Sequence, residues 1–115
     1  MNQLRVYHNP RCSKSRQALQ YLDAKGLTYE VTKYLEETLT KSEIKILLNK
    51  IGISADELLR KGEKFYKENV KGKEWSEDEI IDFMLEEPKL IERPIIELGE
   101  NAVIGRPTEA IDKLL

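Results

Sequence analysis

Residues 4–16 read Leu-Arg-Val-Tyr-His-Asn-Pro-Arg-Cys-Ser-Lys-Ser-Arg. The first five alternate in polarity and stop at Asn9-Pro10, which predicts a short strand closed by a turn. Cys12, the only cysteine of the chain, follows this turn and precedes a helical pattern. The unpaired N–H groups and the dipole of a helix N-terminus favour an ionised thiol and attract an oxyanion. The stretch therefore predicts a thiolate nucleophile at Cys12.

The residues that follow predict a β-α-β unit. Apolar side chains at helical spacing predict a helix from Ser13 to Lys25, with Ser13 as its cap and Gly26 at its end. Residues 27–34 are rich in β-branched and aromatic side chains, which predicts a second strand parallel to the first. Open α/β sheets bind ligands at the carboxyl ends of such strands, where this topology places Cys12.

The rest of the chain completes an α/β fold. Residues 40–87 are helical in pattern, with Ser76 and Glu79 as a capping box. Residues 95–98 and 102–104 predict a β-hairpin, and residues 107–115 a closing helix with Pro107 at its first position. This order matches a thioredoxin-like mixed four-stranded sheet, with a helical insertion between its β-α-β and β-β-α halves.

Length and composition narrow the class of protein. A chain of 115 residues suits a single domain, residues 1–115, with the insertion at about 40–87. Charged residues make up 35% of the chain and the net charge is −2, so we expect no nucleic-acid partner. No secretory leader or long apolar span is present, so we expect no membrane partner. A lone cysteine forms no internal disulfide, which favours a reducing cytoplasm.

Four motifs together resemble a known family, the glutaredoxin-coupled arsenate reductases and their uncharacterised close relatives. The resemblance covers essentially the whole chain. Its motifs are His8-Asn9-Pro10-Arg11-Cys12, Leu58-Leu59-Arg60, Leu90-Ile91-Glu92-Arg93-Pro94-Ile95 and Ile104-Gly105-Arg106-Pro107.

The resemblance implies a reaction and a set of site residues. Cys12 matches the cysteine that attacks arsenate, while Arg60, Arg93 and Arg106 match the arginines that hold the oxyanion. It implies reduction of arsenate to arsenite, with glutathione as co-substrate and glutaredoxin as the partner that supplies electrons. The bound substrate is expected to be arsenate or a similar oxyanion. It also implies a cis peptide bond before Pro94. The motifs of the chain themselves indicate no bound cofactor.

Two departures from the family pattern keep other functions open. Ser13 and Lys14 stand where the best-studied branch has glycine and threonine. Ser15 stands where an RNA-polymerase-binding branch often has the second cysteine of a Cys-x-x-Cys switch, so no internal switch closes here. A non-enzymatic regulator that binds a protein partner such as RNA polymerase is one alternative. A general glutathione-linked thiol oxidoreductase is the other.

Three residues around the turn have both a functional and a structural interpretation. A single cysteine is often a buried, inert residue, but the polar neighbours of Cys12 favour a catalytic thiol. His8, the only histidine, either lowers the pKa of the thiol, as a charged neighbour or through a hydrogen bond, or is an ordinary hydrogen-bonded group. Ser15 either donates its hydroxyl to the thiolate or helps to cap the helix.

The arginines stand out because the chain otherwise prefers lysine, with thirteen Lys against six Arg. A planar, permanently charged guanidinium suits bidentate binding of a tetrahedral oxyanion. The basic stretch between Arg60 and Lys73 has aromatic neighbours. It is either a nucleic-acid patch or, as we favour, a solvated face whose aromatics dock onto the core. We find no spacing of metal ligands and no phosphate-binding glycine loop, so no metal site is predicted.

Overall fold

The computed structural model describes residues 3–115, which separate into two compact units. The first unit contains residues 3–37 together with Arg93–Leu115, and the second is Thr38–Glu92. The second unit starts and ends close to the bounds predicted for the helical insertion. The single domain predicted from length stays a prediction.

The first unit begins with the predicted β-α-β arrangement. Strand β1 is Leu4–Tyr7, helix α1 is Ser13–Ala24 and strand β2 is Tyr29–Thr32. The two strands are parallel, with Leu4 opposite Tyr29 and Tyr7 opposite Thr32. Helix α1 ends one residue before the predicted Lys25, and Gly26 follows with a φ of 71°, a left-handed conformation that glycine adopts without strain.

The predicted hairpin completes the sheet. Strand β3 is Ile95–Leu98 and strand β4 is Asn101–Ile104, so the hairpin turn is shorter by one residue than predicted. Strand β3 pairs antiparallel with β1, which gives the mixed order β2-β1-β3-β4. The four-stranded sheet and its two halves are therefore confirmed.

The closing helix differs from the prediction. Thr108–Leu114 forms a 3-10 helix, and Pro107 is its N-cap with an extended ψ of 164° instead of its first helical residue. The segment places Ile111, with an exposed fraction of 0%, against Val6, Leu22 and Ile96 in the core of the sheet. Burial of this apolar face, rather than helix length, holds the segment in place.

The second unit consists of helices, as predicted. They are α2 (Lys41–Ile51), α3 (Ala55–Leu58), α4 (Lys64–Asn69) and α5 (Glu77–Glu86), followed by a 3-10 helix at Pro88–Leu90. Thr40 and Ser76 each close a capping box, with Glu43 and Glu79 respectively. Phe65 and Trp75 both pack edge-on against Phe83 of α5. The aromatics of the basic stretch thus dock within this unit, as we interpreted them.

The strand registers gather several loops at one edge of the sheet. Tyr7 at the end of β1 lies opposite both Thr32 at the end of β2 and Ile95 at the start of β3. Ile104 at the end of β4 lies opposite the same Ile95. The turn after β1, the segment after β2, the segment before β3 and the segment after β4 therefore all meet at this edge.

No helix among residues 3–115 is long and apolar enough to cross a bilayer.

Candidate active site

Cys12 lies at the N-cap of α1, at the sheet edge just described. Its backbone is extended, with φ −94° and ψ 122°, and its carbonyl accepts the first helical hydrogen bond from the Arg16 N–H. Ser13 is therefore the first helical residue and is exposed, so its prediction as the cap is wrong. The helical hydrogen bonds begin one residue earlier than the polar pattern suggested.

The turn that presents Cys12 is held by hydrogen bonds within it. The Cys12 N–H donates to the Asn9 carbonyl, and the Arg11 N–H donates to Asn9 Oδ1 at 3.0 Å. Asn9 is itself buried, with an exposed fraction of 5%. Because the buried Asn9 side chain accepts a backbone hydrogen bond of its own turn, it fixes the turn that carries Cys12 away from the end of β1.

The pKa of the Cys12 thiol falls from 9.0 to about 7. Partial burial alone raises the pKa, but three donors outweigh it: the Ser15 backbone N–H, the Arg93 side chain and the Lys14 backbone N–H. Helix α1 has no acidic residue in its first turn that would oppose them. Near pH 7 the thiol is therefore ionised in about half of the molecules.

Arg93 is the predicted oxyanion ligand that the structure brings to the thiol. It precedes β3, is half-buried, and its side chain lies within hydrogen-bonding reach of the sulfur. Burial by itself lowers the pKa of the guanidinium, but the contacts with Cys12 and Tyr34 raise it overall. The Arg93-Pro94 peptide bond is cis, as the resemblance implied.

Tyr34 is a residue of this site that the sequence analysis missed. It was treated only as part of the second strand, but it lies two residues beyond β2, and its side chain is within hydrogen-bonding reach of Arg93. Its exposed fraction is 1%. A usable signal was present, because parallel strands end at one edge and a tyrosine after β2 falls beside a turn after β1.

Ser15 contributes its backbone to the thiol. Its hydroxyl, fully buried, accepts a hydrogen bond from the Asn9 N–H at 3.4 Å, while its own N–H lies against the Cys12 sulfur. The structure therefore ties the hydroxyl to the turn that precedes the helix. The predicted donation from hydroxyl to thiolate stays a prediction.

His8 is buried directly after β1. Burial, together with the charges of Lys33 and Arg16, lowers its pKa from 6.5. A histidine with a lowered pKa is neutral at pH 7, which argues against its predicted action as a charged neighbour of the thiol. Its Nδ1 is buried without a hydrogen-bond partner, and its backbone N–H donates to the Thr32 carbonyl at 2.9 Å.

Arg106 follows β4, at the same edge of the sheet as the Cys12 turn. Its side chain is exposed, and its peptide bond with Pro107 is cis. Gly105 before it donates its N–H to the Pro94 carbonyl at 2.8 Å, which ties the Arg106 segment to the segment that carries Arg93. The topology thus brings both arginines to one edge of the sheet.

Arg60 belongs to the second unit, where its guanidinium has acidic neighbours. Its Nε lies 3.3 Å from Glu92 and its Nη1 lies 3.6 Å from Glu63, and the side chain is 23% exposed. Its backbone N–H donates to the Leu90 carbonyl at 2.7 Å. These contacts hold the Arg60 side chain in place, and its predicted role as an oxyanion ligand stays a prediction.

Among residues 3–115, no three His, Cys, Asp or Glu side chains are grouped so that they could hold a metal ion. The donors gathered around Cys12 are instead N–H groups and a guanidinium. Such groups bind anions and stabilise thiolates.

Comparison with known proteins assigns the chain to a family. Residues 7–114 match the ArsC family. The "Uncharacterized protein YfgD" of Escherichia coli is 44% identical, over 95% of this chain and 93% of that protein. An arsenate reductase of Neisseria meningitidis is 38% identical, over 100% of both chains. The solved structure of an arsenate reductase from Vibrio cholerae superposes with a TM-score of 0.94 at 39% identity, over 99% of this chain and 98% of that one.

These matches extend over nearly every described element, including the cysteine turn, the hairpin and all the predicted arginine positions. They also confirm the thioredoxin-like fold predicted from the order of strands and helices. The chain is a member of the ArsC family.

Proposed function

We propose that this protein reduces arsenate to arsenite, with Cys12 as the nucleophile and glutathione and glutaredoxin as the reductants. The observation that carries the proposal is the Cys12 thiol, whose pKa of about 7 results from helix N–H groups and the Arg93 side chain. Full-length relatives named arsenate reductase, 38% identical to this chain, support the choice of substrate.

The first step joins the thiolate to arsenic. Cys12 Sγ attacks the arsenic(V) atom, an As–O bond breaks, and the oxygen leaves as water after taking up protons. The groups that lower the pKa of the free thiol also suit a bound oxyanion, because N–H donors and a guanidinium stabilise negative oxygens. Arg93 and Arg106 come from the same sheet edge as Cys12, and Arg60 is included through its match to the family motif.

The second step transfers the electrons. A glutathione thiolate attacks Cys12 Sγ and the S–As bond breaks, so that the electron pair stays on arsenic and arsenite is released as arsenic(III). The two sulfurs, oxidised together, remain as a mixed disulfide between Cys12 and glutathione. The chain has no second cysteine to resolve it, so the glutaredoxin thiol removes the glutathione and restores Cys12. This cycle requires a reducing compartment, which is why we place the protein in the cytoplasm.

The test is arsenate-dependent NADPH consumption in a coupled assay with glutathione, glutathione reductase and glutaredoxin. We expect activity in the wild type, loss of activity in Cys12→Ser, and a strong reduction in Arg93→Lys, whose compact ammonium does not reproduce the planar fork. Arg5→Lys is the matched control, because Arg5 is paired with Glu30 on the sheet surface at 2.7 Å.

An inactive wild-type protein with a reactive thiol would contradict the proposal. Full activity in Cys12→Ser would contradict the mechanism. Turnover of a glutathionylated peptide without any dependence on arsenate would assign the same thiol to a general glutathione-linked oxidoreductase.

A further inference from the structure

The structure places a buried phenol beside the arginine that contacts the Cys12 thiol. Tyr34 is 1% exposed, and its hydroxyl oxygen and Arg93 Nε are both fully removed from solvent. The hydroxyl lies within hydrogen-bonding reach of the Arg93 side chain, which also reaches the Cys12 sulfur. The Arg93 guanidinium therefore contacts both the Cys12 thiol and the Tyr34 phenol.

We propose that Tyr34 is a positioning residue, whose hydroxyl accepts a hydrogen bond from the Arg93 guanidinium and holds it against Cys12 Sγ. The inference deepens the proposed function, since it concerns the same thiol. Guanidinium groups only donate hydrogen bonds, so the phenol oxygen must act as the acceptor in this contact. An arginine side chain has several rotatable bonds, and a fixed acceptor beside the guanidinium limits the orientations of the planar group.

The strand registers explain why Tyr34 can act in this way. His8 directly after β1 donates its N–H to the Thr32 carbonyl at the end of β2, so the chain after β2 stays beside the chain after β1. Two further hydrogen bonds, from the Glu36 and Glu37 N–H groups to the Lys33 carbonyl, close the turn around Tyr34. The phenol thus comes from a backbone segment that is itself fixed to the sheet edge.

The pKa of the Cys12 thiol reports on the position of Arg93. Arg93 is the side-chain cation that lowers the pKa of Cys12, and the remaining donors are the backbone N–H groups of Ser15 and Lys14. Tyr34 contacts the thiol through Arg93, so removing the phenol hydroxyl changes the thiol by loosening the guanidinium. The backbone donors do not depend on Tyr34 and leave part of the lowered pKa in place.

The experiment measures the pH dependence of Cys12 alkylation by iodoacetamide in the intact chain, which requires no arsenate activity. Tyr34→Phe keeps the ring and removes only the oxygen. We expect the midpoint to move upward from about 7 towards 9. The alkylation rate at pH 7 should fall roughly three- to fivefold, because the thiolate is the reactive form. Tyr7→Phe is the matched control, because Tyr7 is also a buried tyrosine and its hydroxyl donates to Glu97 at 3.3 Å.

A coupling measurement separates positioning from a general loss of structure. In an Arg93→Gln background, the added Tyr34→Phe change should leave the midpoint where Arg93→Gln alone puts it, because the phenol has no guanidinium left to hold. An unchanged midpoint in Tyr34→Phe would overturn the proposal. The proposal would also be overturned if Tyr34→Phe moved the midpoint equally in the wild-type and Arg93→Gln backgrounds. An equal movement of the midpoint in Tyr7→Phe would overturn it as well. Since the thiol is titrated without substrate, a failure of arsenate reduction leaves this test intact.

Discussion

The Arg93 guanidinium lies within hydrogen-bonding reach of the Cys12 thiol, although the two residues come from opposite halves of the chain. The antiparallel pairing of β1 with β3 makes this possible, because it sets Tyr7 at the end of one strand opposite Ile95 at the start of the other. A cationic donor and a helix N-terminus then converge on one sulfur.

The reactivity of Cys12 should depend on pH with a midpoint of about 7 in the wild type. Arg93→Gln removes the charge and its hydrogen bond to the sulfur, so the midpoint should rise towards 9.0. Alkylation rates measured over pH 5 to 10 check this. Arg11→Gln, an exposed arginine of the same turn, serves as control. A midpoint that moves equally in both variants would show a long-range charge effect instead of a direct contact.

The ionised thiol should also stabilise the fold at alkaline pH. The pKa of Cys12 is about 7 in the folded chain and near 9.0 in the unfolded one, so the unfolded state binds more protons between these values. The free energy of unfolding of the wild type, relative to Cys12→Ala, should rise from pH 7 to pH 9 and be lost as the pH falls through 7. Urea denaturation at several pH values measures this difference, and a constant difference would contradict the lowered pKa.

His8 should make the protein sensitive to acid. The pKa of His8 is lowered from 6.5 in the folded chain. The contribution of the neutral imidazole to the free energy of unfolding is therefore fully present above pH 6.5 and is lost as the pH falls through the folded pKa. His8→Gln cannot be protonated and should remove this part of the acid destabilisation. Because His8 is the only histidine, the imidazole signals in an NMR titration report its pKa directly. A midpoint above 6.5 would reverse the assignment and restore the charged-neighbour role.

The helix caps offer a test of where the helices begin. Thr40→Ala and Ser76→Ala each remove a side-chain cap and its capping box, which should cost about 1 kcal/mol of unfolding free energy. Ser13→Ala should change the unfolding free energy by less than about 0.5 kcal/mol, because Cys12 and not Ser13 is the N-cap of α1. Chemical denaturation measures all three. A Ser13→Ala cost as large as that of Thr40→Ala would restore the sequence-based assignment.

A side chain at Gly105 should destabilise the protein. A Cβ at this position would lie 2.7 Å from Ile96 Cδ1 and 3.1 Å from Pro94 Cγ, both in the tightly packed segment beside Arg93. Gly105→Ala should therefore destabilise the protein by about 1–3 kcal/mol, the usual cost of overpacking. Gly62→Ala is the control, since no atom lies within 4 Å of its added Cβ. If Gly105→Ala cost no more than Gly62→Ala, the segment would be looser than the structure shows.

The sequence predicted the elements of secondary structure well because their signals are local. Alternating residues gave β1, helical spacing gave α1 and α2, and the Ser76 box marked the start of α5. Local signals were less reliable where two neighbouring residues could both act as the N-cap of a helix. Ser13 looked like the better cap, but the Cys12 carbonyl accepts the first helical hydrogen bond, from the Arg16 N–H, so Cys12 is the N-cap.

Interactions between distant segments were harder to predict. The lowered pKa of His8 depends mainly on its burial, and the contact between Tyr34 and Arg93 depends on three strand ends meeting at one edge. The contact between Arg60 and Glu92 joins residues that lie far apart along the chain of the second unit. None of these relationships follows from periodicity or from the spacing of a motif.

By itself, the sequence determined the order of strands and helices, the identity of the one thiol and its place at a helix start, because hydrophobic period, turn residues and composition are properties of neighbouring residues. Only the tertiary structure decided which groups surround that thiol. Strand register brings Arg93 and Tyr34 to the edge where Cys12 emerges, and burial then sets which of the nearby groups are charged, because desolvation and hydrogen bonding depend on distance in space.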